Sequence, residues 1–169
     1  MNFLLDDKNI KFINTNWIEL NKTLQSFIIH KMLNSFNEKK YNKILNIYER
    51  FSKKKCVVNL YYENNNLEGI CISWKIDKFI YLDKFFSINF KKGVGGSMLK
   101  LFIEKYKNDN VIWRTNEDLT YFYLKNNSVN KFFNYGTNHE KDYVFMGIKN
   151  HVFWEYEDIN NLKINSCFQ

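Results

Sequence analysis

The chain has 169 residues and a formal net charge of +7, with hydrophobic residues at 45% and aromatics at 18%. That length suits one domain with one core; the 16 Phe and 11 Tyr can fill it. No run of about 18 apolar residues occurs, the N-terminus lacks the apolar region of a secretory signal, and three cysteines without C-x-x-C spacing make neither a disulfide framework nor a zinc site.

These features predict a soluble, cytoplasmic protein, residues 1–169 forming a single domain with no membrane partner and no metal. The positive charge suits an anionic ligand. Its lysines are nevertheless spread along the chain among asparagines, which is the pattern of a solvated surface.

Trp17, Ile18, Leu20, Leu24, Phe27, Ile28 and Leu33 fall at helical spacing after the capping candidates Asn14, Thr15 and Asn16, so a helix is predicted over 17–33. A second covers about 39–53, with Tyr41, Ile44, Leu45 and Tyr48 on one face. The period then changes. Segments 56–62, 67–76 and 79–90 are rich in β-branched and aromatic residues and are separated by "ENNN" and "DK", which predicts three antiparallel strands joined by hairpin turns. From Val94 to Tyr106 the spacing is helical again. A short strand follows at 111–114, a short helix at "LTYFYLKNN" and a late strand at 142–148.

Three of the six glycines, Gly93, Gly95 and Gly96, fall within "KKGVGGS", between a strand and a helix. A helix N-terminus carries backbone N–H groups without intrahelical acceptors and a positive dipole end, so this junction is a candidate anion site. Lys91 and Lys92 add charge that favours a pyrophosphate. The spacing matches neither G-x-x-x-x-G-K-[ST] nor G-x-G-x-x-G. A plain strand-to-helix turn explains the same glycines without a ligand.

Gly93-Val94-Gly95 resembles the G-x-G of the Q/R-x-x-G-x-G/A loop in the GNAT superfamily of acetyl-CoA-dependent N-acetyltransferases, with Phe90 where that family prefers Gln or Arg. A narrower resemblance is carried by "YLDKF" (81–85), "VIWRTN" (111–116), "YFYLKNN" (121–127) and "DYVFMGI" (142–148), in the order found in the catalytic domains of N-acetylglutamate synthases. It covers about residues 67–150, within a motif-bearing core of about 56–150.

The resemblance implies an α/β (α+β) chain with the GNAT fold, a central, mostly antiparallel twisted sheet flanked by helices. It implies acetyl-CoA as co-substrate, its pyrophosphate on the amides of Gly93, Val94, Gly95, Gly96 and Ser97 beside Lys91 and Lys92, and its pantetheine along Phe86, Ser87 and Ile88. Lys84 and Arg114 match cations that reach an acceptor carboxylate, and Asn116 stands at the second arginine of that motif. Tyr123 matches the tyrosine that protonates the departing thiolate. Loss of that arginine, with Glu117 and Asp118 close by, disfavours glutamate on Coulombic grounds.

A small anionic primary amine is therefore the implied partner, either an amino-sugar phosphate such as glucosamine 6-phosphate or an amino acid such as glutamate. The acetyl group would pass by direct attack in a ternary complex, and a homodimer is an assembly the resemblance leaves open. Two other classes compete: a CoA-binding module without catalysis, and a basic RNA-binding domain. The aromatic residues sit at periodic core positions rather than in an exposed patch, so no nucleic-acid partner is predicted. His30, His139 and His151 fall outside the motifs.

Overall fold

The computed structural model describes residues 9–35, 41–76, 79–89, 93–126, 129–135 and 143–148. They divide into two units, one drawn from 1–74 and 82–102 and the other from 75–81 and 103–169.

In the first unit, strands β1 (Ile10–Asn16), β2 (Val57–Glu63), β3 (Asn66–Ile76) and β4 (Phe79–Ser87) lie side by side in that order. β1 is antiparallel to β2, with Phe12 opposite Tyr61, and β2 is antiparallel to β3, with Tyr61 opposite Gly69. The β2–β3 turn is made by Asn64 and Asn65, whose φ values of 50° and 66° give a two-residue turn matched to strand twist. Asparagine tolerates this left-handed conformation better than most residues. Between Tyr61 and Tyr62 the pairing steps by one, leaving Glu68 as the additional residue of a β-bulge on β3.

The helix predicted over 17–33 is divided. Asn14, Thr15 and Asn16 end strand β1, and Trp17–Glu19 forms one 3-10 turn closed when the Glu19 carboxylate accepts the Asn16 N–H at 3.2 Å and its side-chain amide at 2.8 Å. Helix α1 (Lys22–Ser35) then starts afresh, capped by Asn21 Oδ1, which accepts the Leu24 N–H at 2.8 Å. Its buried face is Gln25, Ile28, Ile29 and Met32, whereas Phe27 and Ile18 are exposed. Apolar residues on several sides of this helix let the periodic pattern point to the wrong stripe. Gln25 is buried because its amide donates to the Trp17 carbonyl and accepts from the Tyr48 hydroxyl, both at 2.7 Å.

Helix α2 (Tyr41–Lys53) agrees with its predicted span; the side chains of Tyr41, Ile44 and Leu45 lie outside the described residues. It stops in a Schellman motif: the Cys56 N–H reaches the Phe51 carbonyl, the Lys55 N–H reaches that of Ser52, and Lys55 takes φ 49°. Trp17 fills the space beneath, its ring edge-on to Phe51 with centroids 5.1 Å apart, while its backbone N–H donates to the Cys56 carbonyl at 2.8 Å. Helix α3 (Val94–Lys105) buries Val94, Met98, Leu99, Leu101 and Phe102. Gly69 on β3 admits it closely, since a Cβ there would lie 2.6 Å from Met98 Sδ.

In the second unit, Phe79–Tyr81 of β4 is followed in space by β5 (Asn110–Asn116), β7 (Tyr143–Ile148) and β6 (Val129–Tyr135). β7 is antiparallel to both neighbours, Met146 lying opposite Trp113 and Phe145 opposite Phe133. Helix α4 (Glu117–Lys125) follows β5 directly and takes in Glu117 and Asp118, placed before it by the sequence pattern.

Strands β1 and β6 were not predicted. Among the described residues each pairs on one side, and a short alternation of apolar residues is the signal that marks it. An antiparallel-rich sheet flanked by helices agrees with the fold class predicted. Among the described residues no helix is long and apolar enough to cross a membrane, and no cluster of His, Cys, Asp or Glu could hold a metal ion.

Candidate active site

Strand β4 delivers the chain to the glycine turn. Ile88 N–H donates to the Glu68 carbonyl at 2.8 Å, which fixes the end of β4 against β3. Because antiparallel residues alternate in direction, the backbone groups of Ser87 point away from β3. Phe86 is buried, while Ser87 and Ile88 are half-buried.

At Gly93 φ is +94° although an added Cβ would meet nothing within 4 Å, so glycine is required there by backbone conformation rather than by space. Its carbonyl accepts the Ser97 N–H at 3.0 Å and so opens α3. The Ser97 amide is thereby engaged in the helix, and the amides lacking an intrahelical acceptor are those of Gly93, Val94, Gly95 and Gly96. Val94 is buried, and Gly95, Gly96 and Ser97 are half-buried. Lys91 and Lys92, with Phe90, lie outside the described residues.

A polar chain braces this first turn from below. The buried Tyr61 hydroxyl donates to Glu63 Oε1 at 2.8 Å and is hydrogen-bonded by the Ser97 side chain. Burial first, and then the Glu63 hydrogen bond, hold the phenol well above tyrosine's ordinary value. The Glu68 carboxylate accepts the Asn89 side-chain amide at 3.4 Å, tying the start of the glycine turn to the β3 bulge.

Farther back on β4, Leu82 and Phe86 are buried and Lys84 stands between them with its side chain 25% exposed. A lysine among apolar neighbours needs a partner, and it has one: Lys84 Nζ is 3.5 Å from Asp83 Oδ1. The Asp83 carboxylate is 1% exposed and also receives Arg50 Nη2 from α2 at 2.9 Å. Sequence reasoning passed over Asp83, Arg50 and Tyr61. An acid inside an otherwise apolar strand, as in "YLDKF", was the available signal for the first pair.

Arg114, Asn116 and Tyr123 belong to the second unit. Arg114 pairs with Phe145 and Asn116 with Tyr143 through the backbone, while their side chains lie outside the described residues. Tyr123 on α4 is buried at 7% exposure, its ring 5.2 Å from Trp113 and 5.1 Å from Phe122. Tyr121, two residues earlier, is 72% exposed, so of the two tyrosines only Tyr123 faces inward.

Antiparallel strands that pass through a glycine turn at the end of β4 into α3 define the fold of the GNAT N-acetyltransferases. A putative GNAT-family acetyltransferase from Bacteroides thetaiotaomicron is similar over 92% of this chain and 94% of its own, with TM-score 0.66 and 13% identity. An acyl-CoA N-acyltransferase from Pseudomonas aeruginosa is similar over 82% of this chain and 99% of its own (TM-score 0.62, 8% identity). The PaiA N-acetyltransferase of Thermoplasma acidophilum, solved in complex with coenzyme A, is similar over 82% of this chain and 98% of its own (TM-score 0.54, 16% identity). At these identities the likeness is one of fold. No protein-family model matches the sequence, and no curated protein matches it either.

Proposed function

We propose that this chain is an acetyl-CoA-dependent N-acetyltransferase acting on the primary amine of a small anionic metabolite. The observation that carries this is the positive-φ Gly93 at the start of α3, where the turn leaves successive amides unpaired at a positive helix end. Membership of the same fold class as a protein solved with coenzyme A supports the same assignment.

In this proposal the amides of Gly93, Val94, Gly95 and Gly96, with Ser97, Lys91 and Lys92, hold the CoA pyrophosphate. The backbone of Phe86, Ser87 and Ile88 pairs with pantetheine. Lys84, Arg114 and Asn116 receive the acceptor, which is an amino-sugar phosphate such as glucosamine 6-phosphate or an amino acid such as glutamate. The narrower likeness to N-acetylglutamate synthases belongs to this proposal and rests on the motifs around Lys84, Arg114 and Tyr123.

The neutral amine attacks the thioester carbonyl, a backbone N–H stabilises the oxyanion, and collapse breaks the C–S bond. Tyr123 gives its proton to the departing thiolate and regains one from the amine nitrogen through solvent. Holding amine and thioester in line supplies much of the acceleration.

A thiol-release assay with glucosamine 6-phosphate, glutamate, other amino acids and polyamines tests this. Turnover of an anionic amine is the expected result. Coenzyme A binding without turnover of any amine would overturn it in favour of a binding module.

A further inference from the structure

Asp83 is shared by two cations that arrive from different elements. Arg50 comes from α2, with Nη2 2.9 Å from Oδ2, and Lys84 comes from β4, with Nζ 3.5 Å from Oδ1. The carboxylate is closed to solvent at 1% exposure, while the Arg50 and Lys84 side chains keep 23% and 25%. What the cluster presents to water is therefore its positive part.

Lys54, whose ammonium sits 4.5 Å over the Trp74 ring, belongs to the same neighbourhood: the charges of Asp83, Arg50 and Lys54 all act on the buried Cys56 thiol. The Arg50 guanidinium is itself held, lying 5.4 Å over the Phe51 ring on its own helix. A buried carboxylate that is fixed on one side by a packed arginine is a rigid post for whatever it holds on the other.

We propose that Arg50 and Asp83 are positioning residues for Lys84: through Asp83, the guanidinium on α2 sets where the Lys84 ammonium stands, and the ammonium so placed selects an acceptor amine that also carries a carboxylate or a phosphate. This rests on Lys84 being an acceptor contact. It brings the helical N-terminal part of the chain into acceptor recognition, although no residue of α2 belongs to the motifs read from the sequence.

The test is steady-state kinetics of the full chain with acetyl-CoA and three acceptors: glucosamine 6-phosphate for the phosphate arm, glutamate for the carboxylate arm and cadaverine as the cationic control. Wild type is compared with Asp83→Asn, Arg50→Met, Arg50→Lys and the Arg50→Met/Asp83→Asn pair. For the anionic acceptor that is turned over, KM should rise at least tenfold in Asp83→Asn, Arg50→Met and the pair, while KM for acetyl-CoA stays within twofold. Arg50→Lys should restore most of the loss.

Asp83→Asn makes the neighbourhood more positive, so a cluster acting by charge alone would lower that KM; a lower or unchanged KM overturns the inference. The pair removes both charges together and keeps the test available where a lone buried charge unfolds a single variant, and calorimetric CoA binding verifies each sample. If wild type binds CoA but turns over none of the three acceptors or the wider amine panel, the transferase assignment falls and the acceptor role of the cluster falls with it. If wild type turns one over and the variants match it, only the present inference falls.

Discussion

Gly69 on β3 faces Met98 on α3 so closely that a Cβ on the glycine would stand 2.6 Å from the methionine sulfur and 3.1 Å from its methyl carbon. Met98 is fully buried, so it can yield only by repacking its neighbours. Gly69→Ala should therefore cost about 1–3 kcal/mol, the usual range for overpacking. Urea unfolding of Gly69→Ala, Met98→Leu and the double variant would measure it, and the two changes should couple rather than add.

Gly93 sets a different requirement. Nothing lies within 4 Å of an added Cβ there, but φ is +94°. Gly93→Ala should cost about 1–2 kcal/mol through backbone strain, and a turn that relaxes to escape it misaims the amides. We expect the Kd for coenzyme A, measured by calorimetry, to rise about tenfold, which corresponds to about 1.4 kcal/mol. Gly93→Asn should lose less, since asparagine tolerates positive φ.

Tyr123 packs its ring against Trp113 and Phe122, contacts that phenylalanine preserves. Tyr123→Phe should melt within a few degrees of wild type yet lose at least about 10²-fold in kcat, the size of a general-acid contribution. Normal turnover in that variant would remove the tyrosine from the mechanism.

Lys55 holds a φ of 49° at the end of α2, where glycine is the usual residue. Lys55→Gly should stabilise the fold by about 0.5–1 kcal/mol, because relief of the left-handed backbone outweighs the added freedom of the unfolded chain. Chemical denaturation midpoints would show it, and a decrease would mean that the lysine side chain contributes more than its backbone costs.

Cys56 is fully buried, and burial, reinforced by the Asp83 charge, pushes its thiol from 9.0 up to about 12. Below pH 9 the thiol is protonated in both the folded and unfolded chain, so its contribution is fully present. Between 9.0 and about 12 the unfolded chain loses the proton while the folded chain keeps it, and stability declines by up to about 1.4 kcal/mol per pH unit. Melting temperature should fall less steeply over this window in Cys56→Ala than in wild type; parallel slopes would contradict this.

Much of the architecture was legible because its segments have strong periods. The runs at 56–62 and 67–76 are rich in β-branched and aromatic residues and flank two asparagines suited to a turn, and they became β2 and β3 within one residue at every boundary. The glycines of "KKGVGGS" gave the strand-to-helix junction correctly. What escaped was set by tertiary contacts. Among the described residues strands β1 and β6 lie at the ends of the strand order, and little in their composition marks them. The break between Glu19 and Lys22 came from side-chain hydrogen bonds of Glu19 and Asn21, which hydrophobic spacing cannot register. Asp83 and Arg50 lie 33 positions apart, and only folding brings their charges to 2.9 Å.

The bulge at Glu68 separates two halves of one hairpin. On the turn side, Tyr62 and Glu63 pair in one phase with Leu67 and Asn66; on the other, Tyr61 keeps step with Gly69 in another. That offset acts as a slip joint between the exposed tip and the strands that carry the Glu68 carbonyl to Ile88. A change at Asn66 can therefore shift the pairing of the tip without turning the α3-facing Gly69 over, whereas Asn64 and Asn65 stay constrained by their left-handed backbone.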